Sequence, residues 1–389
     1  MICCLSPTVG IARYMHRLLQ PIYDQVAYST TFFKESDAVH ALENYAKQGH
    51  LLSTTLFATL HVNDLCTIVP HEQLVEILQR FLNDFVPERQ IQGVSIDTII
   101  QLVRFVLQNQ LFVFNSNIYR QIKGCGSDLP FNHLLANIYM FYWQEDLVKI
   151  LVKNKEVFGR CLDELFFTWN KSKGDLQSFI RTIINPKFPT LFITTTIGKK
   201  VNYLDAKISH VNGKLHTRVH HDRDIEPRAL PIISDRPPLI YSTLIQASLI
   251  RATLICSKVL DFQNERQDIQ MIFRSNGFTL KYIQEHIEQF YRDFHISNWK
   301  SDFNQHSYEK MRQQVIDDDQ KRTAMKIKQR QEEQSQHKWY ITSVLNGEAL
   351  LDLQQDFNRL WDDYIDKEPE FKNVNIEFIH RPHYPANTK

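Results

Sequence analysis

Glycine is scarce in this chain, with 11 in 389 residues, and nowhere are they spaced to cradle a phosphate. There are only six cysteines, Cys3, Cys4, Cys66, Cys125, Cys161 and Cys256. None forms a Cys-x-x-Cys pair and they lie scattered through apolar stretches, which argues against a disulfide frame and reads as reduced intracellular thiols. No run of about 18 apolar residues occurs, so no membrane span is expected. The opening apolar run is too short for a secretory signal and has no basic flank. Charge of one sign is also missing: 45 Lys and Arg balance 44 Asp and Glu, for a net of +1. Phosphate neutralisation supplies much of the affinity of a nucleic-acid binder, so any such grip here has to come from a local patch. No internal repeat is visible.

What is present is apolar and aromatic. Hydrophobic residues make up 43%, with 25 Phe and 15 Tyr, enough for two or three packed units. Ile11, Met15, Leu18, Leu19 and Ile22 fall at helical spacing, and a second helix follows over Val39, Leu42 and Tyr45. Leu56 to Val62 has the pattern of a buried strand. Pro70 opens an amphipathic helix over Leu74, Ile77, Leu78, Phe81, Leu82 and Phe85. Another helix is expected from Ser95 to Gln108, then a hairpin turning at Asn115–Asn117, then a long helix from Pro130 to Val152. Val157 to Leu162 and Leu165 to Trp169 read as strands joined at Asp163-Glu164. Asp175 to Ile184 is helical and stopped by Pro186 and Pro189. Phe192 to Thr196, Val201 to Ile208 and Lys214 to His220 alternate as strands, with Asn212-Gly213 a strong hairpin signal. Leu239 to Val259, Arg266 to Phe273 and Leu280 to Tyr291 are helices. Residues 298 to 336 are so polar that a solvated helix or a linker is expected, before a small strand-helix-strand unit.

The expected fold is α+β, a palm-like antiparallel sheet backed by helices, followed by a helical thumb and a small C-terminal α/β piece. A strand, two helices and a tight acidic hairpin follow the order of a polymerase palm, where carboxylates on neighbouring strands share two divalent metals. Thr55 to Pro70 resembles the first palm motif of the reverse transcriptases of Penelope-like retroelements. Phe114 to Asn137, with Tyr119, Gln121, Gly124, Ala136 and Asn137, resembles their second. Phe158-Gly159-Arg160-Cys161-Leu162-Asp163-Glu164 and its flank to Trp169 resembles their Tyr-x-Asp-Asp hairpin. Tyr203-Leu204-Asp205 and Asn212 to Thr217 resemble the strands beyond it. The likeness runs from about residue 11 to 295.

That resemblance implies RNA-directed DNA polymerase ancestry, with Mg²⁺ as the metal of an active form. It implies Asp163 and Glu164 as catalytic and metal-holding residues, and places His61 where the family has its first catalytic Asp. It implies nucleic-acid contact at Arg120, Gln121, Lys123 and Gly124, RNA or an RNA–DNA duplex as partner, and helix-turn-helix-like thumb helices over 239–291. The departures matter too. An imidazole is a poor Mg²⁺ ligand, the family's acidic pair has become Asp163-Glu164, and its Ala-Met-Gly-Ser stretch has become Gly126-Ser127-Asp128-Leu129. Impaired catalysis is therefore expected, and the alternative is a non-catalytic nucleic-acid-binding module derived from a retroelement.

The divisions expected are a remnant of fingers and connecting helices over 1–54, a palm over 55–221, a thumb over 222–297, a polar linker or solvated helix over 298–338, and a C-terminal unit over 339–389. Residues 1–54 leave little room for full fingers, so a fragment is expected. Nuclear or cytoplasmic placement follows from the resemblance alone. Three further features have plainer readings. His216, His220, His221 and Asp222 suggest zinc, but on a strand His216 and His220 would stand roughly 13 Å apart, too far for one ion. Cys161 has no companion base to make it a nucleophile. The basic run from Lys321 to Arg330 is interleaved with acids and reads as a solvated face.

Overall fold

The computed structural model describes residues 8–115, 117–126, 130–184, 191–221, 238–296, 303–335, 338–343 and 375–380, with scattered positions between 351 and 359. The chain begins with α1 (Val9–Ala27), a short 3₁₀ turn and α2 (Glu35–Lys47). Strand β1 (Leu56–Asn63) leads into the one-turn α3 (Leu65–Ile68), α4 (His71–Phe85), the small ribbon β2 (Gln90–Ile91) and β3 (Val94–Ser95), and α5 (Ile96–Gln108). Then come the hairpin β4 (Leu111–Phe114) and β5 (Asn117–Arg120), and helices α6 (Pro130–Trp143) and α7 (Glu145–Lys153). The acidic hairpin is β6 (Phe158–Cys161) and β7 (Glu164–Trp169), followed by α8 (Lys173–Ile184). Strands β8 (Phe192–Gly198), β9 (Lys200–Tyr203), β10 (Ala206–Val211) and β11 (Lys214–Val219) precede helices α9 (Pro238–Ile255), α10 (Val259–Ser275), α11 (Leu280–Asp293) and α12 (Gln305–Ser335). Strands β12 (Lys338–Ser343) and β13 (Asn375–His380) pair in parallel at the end.

The α+β expectation holds: antiparallel sheets are backed by helices. The main sheet has the order β6-β7-β1-β8, and a second has the order β11-β10-β9. Two apolar cores lie on opposite sides of the main sheet because its central strands alternate. On β1, Ala58, Leu60 and Val62 join Leu165 and Phe167 of β7 in a core shared with α1, α4, α5 and α6. Phe57 and Phe166 point the other way, into a core shared with α2, the second sheet and α9 to α12. Each fully buried Phe contributes about 1.5–3 kcal/mol, so register between β1 and β7 is strongly specified. A slip by one residue would exchange the two sets.

Two helix starts carry a hydroxyl cap. The Ser95 hydroxyl accepts the Thr98 N–H at 3.1 Å at the head of α5, and the Thr279 hydroxyl accepts the Tyr282 N–H at 3.2 Å at the head of α11. Asn212 and Gly213 both take positive φ, +48° and +77°, and close the β10–β11 hairpin as their dipeptide predicts.

Three expectations change. The long helix after Pro130 is two helices meeting at Gln144, whose side chain is buried and engaged by Arg160. The strand expected over Val201–Ile208 breaks at Leu204, where φ is +48°, and becomes the hairpin of β9 and β10. The polar segment after residue 298 forms α12, which is not wholly solvated. Tyr308, Met311 and Val315 recur at spacings of three and four, and all three are buried against the α9–α11 core. The Arg312 guanidinium adds an ion pair to Glu43 of α2 at 2.8 Å and donates to the Thr253 and Leu254 carbonyls of α9. Most of the strand-helix-strand unit expected after residue 339 lies outside the described residues.

Candidate functional site

The two faces of β1 decide what His61 meets. Ala58, Leu60 and Val62 are taken up by the helix-side core, so Phe57, Thr59 and His61 share the opposite face. Phe57 is covered by the second core, while His61, at the far end, keeps 45% of its side chain exposed. In the antiparallel register His61 stands directly opposite Glu164 of β7. Its Nδ1 lies 3.8 Å from Glu164 Oε1 and has no hydrogen-bond partner, although the atom itself is buried. Glu164 directs its other oxygen to the Leu204 N–H, which donates to Oε2 at 3.2 Å. The break in the second sheet at Leu204 is therefore what brings a backbone donor onto this carboxylate.

Asp163 sits in the turn between β6 and β7, and its backbone carbonyl accepts the Val62 N–H at 2.9 Å. The turn is held from beneath by Arg160, the largest fully buried side chain described. Its guanidinium donates to Gln144 Oε1 at 2.7 Å, Asn137 Oδ1 at 2.6 Å, the Leu162 carbonyl at 2.6 Å, the Tyr23 hydroxyl at 2.9 Å and the Asn137 carbonyl at 3.2 Å. Leu162 takes a left-handed φ of +52°, which costs a non-glycine residue about 1–2 kcal/mol. The Arg160 bond to its carbonyl fixes it there. Sequence reasoning passed over Arg160, because a lone Arg on a strand is ordinarily exposed. Gly159 beside it admits no Cβ, which would run into the Phe32 ring.

The structure thus places His61 against Glu164, with Asp163 in the adjoining turn. Among the described residues, however, the group of three potential ligands that come within 4.8 Å of one another is His221, Glu265 and Asp268, not His61, Asp163 and Glu164. Asp64, three residues beyond His61, has already left the strand: it takes φ +54° and precedes α3.

Of the residues put forward for nucleic-acid contact, Arg120 and Lys123 are exposed. Gln121 is buried, with its N–H donating to the Gln110 carbonyl at 2.9 Å and its Nε2 to the Lys123 carbonyl at 3.0 Å. Gly124 is buried too. It takes φ +69°, a Cβ there would strike the Thr67 backbone, and its carbonyl accepts from His71 Nε2 at 2.7 Å. Side chains reaching outward on this hairpin and its exit also include Ile118, Tyr119 and Ile122.

Cys161, two residues before Asp163, has its thiol pushed up to about 11 by burial, which keeps it protonated at neutral pH. His216 and His221 find carboxylates on α10, Asp261 and Glu265, each at 2.7 Å. Among the described residues no helix is long and apolar enough to cross a membrane.

Comparison with known proteins agrees with the fold. Residues 228–288 match the model of the animal helix-turn-helix domain, and of these the structure describes α9, α10 and the first part of α11. The chain is similar over 80% of its length to telomerase from Candida albicans, solved in complex with the TWJ fragment of telomeric RNA, at 9% identity and a TM-score of 0.56. It spans 54% of that telomerase chain. Weaker likenesses are to apo telomerase from Candida tropicalis, at 14% identity over 78% of this chain and 53% of that one with a TM-score of 0.46. A third is the RNA-dependent RNA polymerase of a human picobirnavirus, at 12% identity over 80% of this chain and 59% of that one with a TM-score of 0.45. A search among curated proteins finds no match. The chain has a polymerase-like palm-and-thumb fold.

Proposed function

We propose that this chain is a reverse-transcriptase-derived protein, of the Penelope-like kind its motifs resemble, that holds nucleic acid and has lost nucleotidyl transfer. The observation that carries this reading is the pairing of His61 with Glu164 at the exposed end of β1, where the resemblance calls for a carboxylate. Two-metal transfer needs hard oxygen ligands gathered around Mg²⁺. Here one position offers an imidazole, and Glu164 has Oε2 engaged by the Leu204 N–H. Among the described residues the three side chains do not gather as a ligand set, so they do not fit a Mg²⁺ pair.

Nucleic-acid holding is supported by the fold and by the exposed hairpin side chains. Arg120 and Lys123 can neutralise phosphates, while Tyr119 presents an aromatic face to a base. The likeness to a telomerase solved with RNA suits an RNA-containing partner, and we take an RNA–DNA duplex as the probe. Because the chain carries no basic excess, the grip is local. Affinity for the duplex should fall with salt, and the double substitution Arg120→Ala with Lys123→Ala should flatten the slope of log K against log salt by about 1–2. Binding with no salt dependence, or with a slope unmoved by the double substitution, would contradict this placement of the grip.

A further inference from the structure

The second sheet and α10 meet along a line of paired charges that the proposed function does not use. Asp261, Glu265 and Asp268 follow one another on α10 at spacings of four and three, which puts them on one face of the helix. That face lies against β11 and the residues that leave it. His216 Nε2 meets Asp261 Oδ2 at 2.7 Å, and His221 Nε2 meets Glu265 Oε2 at 2.7 Å. The first pair is a simple dyad. The second has an additional carboxylate beside it, and the ligand atoms of His221, Glu265 and Asp268 all lie within 4.8 Å of one another.

We propose that His221, Glu265 and Asp268 bind a divalent first-row transition ion, of which Zn²⁺ is the natural probe. The proposal is independent of the reading of the palm. Its geometry is close to what an ion requires. Donors at about 2.0–2.2 Å from a tetrahedral zinc stand roughly 3.3–3.6 Å apart, so a trio already within 4.8 Å has to close by about an ångström at its widest and open its hydrogen bond. The chemistry of the donors is selective: one imidazole with two carboxylates suits zinc, manganese or cobalt better than Mg²⁺.

The electrostatics point the same way. Glu265 is only 8% exposed, and a buried carboxylate needs a counter-charge. One imidazolium balances one of the two carboxylates, whereas a divalent ion balances both. The site also has room. It opens on a cavity of about 490 Å³, with Lys207 and Arg218 on its wall. The remaining coordination positions therefore face a space suited to water or to an anionic oxygen.

The framework on both sides is already fixed, so a bound ion would have little to organise. The Thr217 hydroxyl donates to the Ile255 carbonyl at 2.6 Å, and the Ser257 N–H donates to the Thr217 carbonyl at 2.9 Å. Those bonds clamp β11 to the turn that begins α10. An ion at His221 would extend the clamp by a helical turn and tie the thumb to the second sheet. Strand spacing alone sets this site aside, because the partners of His221 lie 44 and 47 residues further along, on a different element.

The test uses the full chain, stripped with chelator and dialysed against ZnCl₂, with bound metal counted by mass spectrometry. The variants are His221→Ala and Asp268→Asn, both at positions open enough to be replaced without emptying the core. Asp163→Ala is the control for zinc held in the palm. The expected result is one zinc equivalent that Asp163→Ala retains and that each of the other two variants weakens by more than about tenfold. Zinc should also raise the melting temperature of the wild type and not that of His221→Ala. The proposal is overturned if the wild type takes up no zinc at micromolar free metal, or if His221→Ala and Asp268→Asn bind it as the wild type does.

Discussion

Replacing Arg160 by Met keeps the length of the side chain and removes every hydrogen bond it makes. Five acceptor atoms lose a charged donor: Gln144 Oε1, Asn137 Oδ1, the Leu162 carbonyl, the Tyr23 hydroxyl and the Asn137 carbonyl. The Tyr23 hydroxyl can turn to another partner and the Asn137 carbonyl lies within α6, so the cost falls mainly on Gln144 Oε1, Asn137 Oδ1 and the Leu162 carbonyl. Leaving a buried acceptor without a donor costs about 1–3 kcal/mol. The expected loss is on the order of 4 kcal/mol, in line with breaking a buried charged network. For a chain of 389 residues unfolding as one unit, that lowers Tm by roughly 5 °C, and by more where the helix-side core melts separately. Urea unfolding followed by circular dichroism reads the difference. Arg160→Lys should recover little of it, since an ammonium has three donors and no planar fork. A Met variant within about 1 kcal/mol of wild type would mean that the buried guanidinium is not what holds the Leu162-Asp163 turn.

Four further outcomes follow from single residues. His61→Asp sets like charges opposite one another across β1 and β7; Tm should fall in EDTA and recover with Mg²⁺, and an equal Tm in both would contradict the geometry. Gly124→Ala, at φ +69° and against the Thr67 backbone, should cost more than about 1 kcal/mol in urea unfolding, and a neutral result would refute the close approach. Arg312→Ala removes the ion pair to Glu43 and the bonds to Thr253 and Leu254, so a loss of about 3 kcal/mol is expected, with faster amide exchange over α12 as the readout and unchanged exchange as the contrary result. Burial lowers the folded pKa of His40, so the unfolded chain takes up the proton first as pH falls; its stability is complete above about pH 6.5 and is lost as pH falls through the folded value, and His40→Gln should flatten that decline in the urea midpoint.

Much of this fold is legible in the residues because its strands alternate and its turns carry their own chemistry. Leu56 to Val62 and Leu165 to Trp169 disclose both buried faces of the main sheet, Asn212-Gly213 discloses a hairpin, and the 3.6-residue period discloses α4 and α5. What stays hidden depends on partners far along the chain. Arg160 is buried only because Tyr23 of α1, Asn137 of α6 and Gln144 at the α6–α7 junction converge on it. Leu204 breaks a strand that alternates well, because its N–H has a carboxylate to meet on β7. Gln121 looks like an exposed strand residue and is buried, its side-chain amide donating to the Lys123 carbonyl. The apolar positions of α12 are outnumbered by charges, so the stripe of Tyr308, Met311 and Val315 is faint until α9 lies beside it. The pairing of His61 with Glu164 is the reverse case: both residues are conspicuous in the sequence, and the register of β1 and β7 brings them face to face.

In the proposed function the palm survives as a nucleic-acid holder without its chemistry. Primer extension on an RNA template, with Mg²⁺ and with Mn²⁺, tests it most directly when wild type and Asp163→Ala are compared in one preparation that binds duplex. Neither protein should extend the primer, while salt-sensitive duplex binding persists. Extension by the wild type that disappears in Asp163→Ala would contradict it, and would mean that Asp163 and Glu164 still assemble a working metal site beside His61.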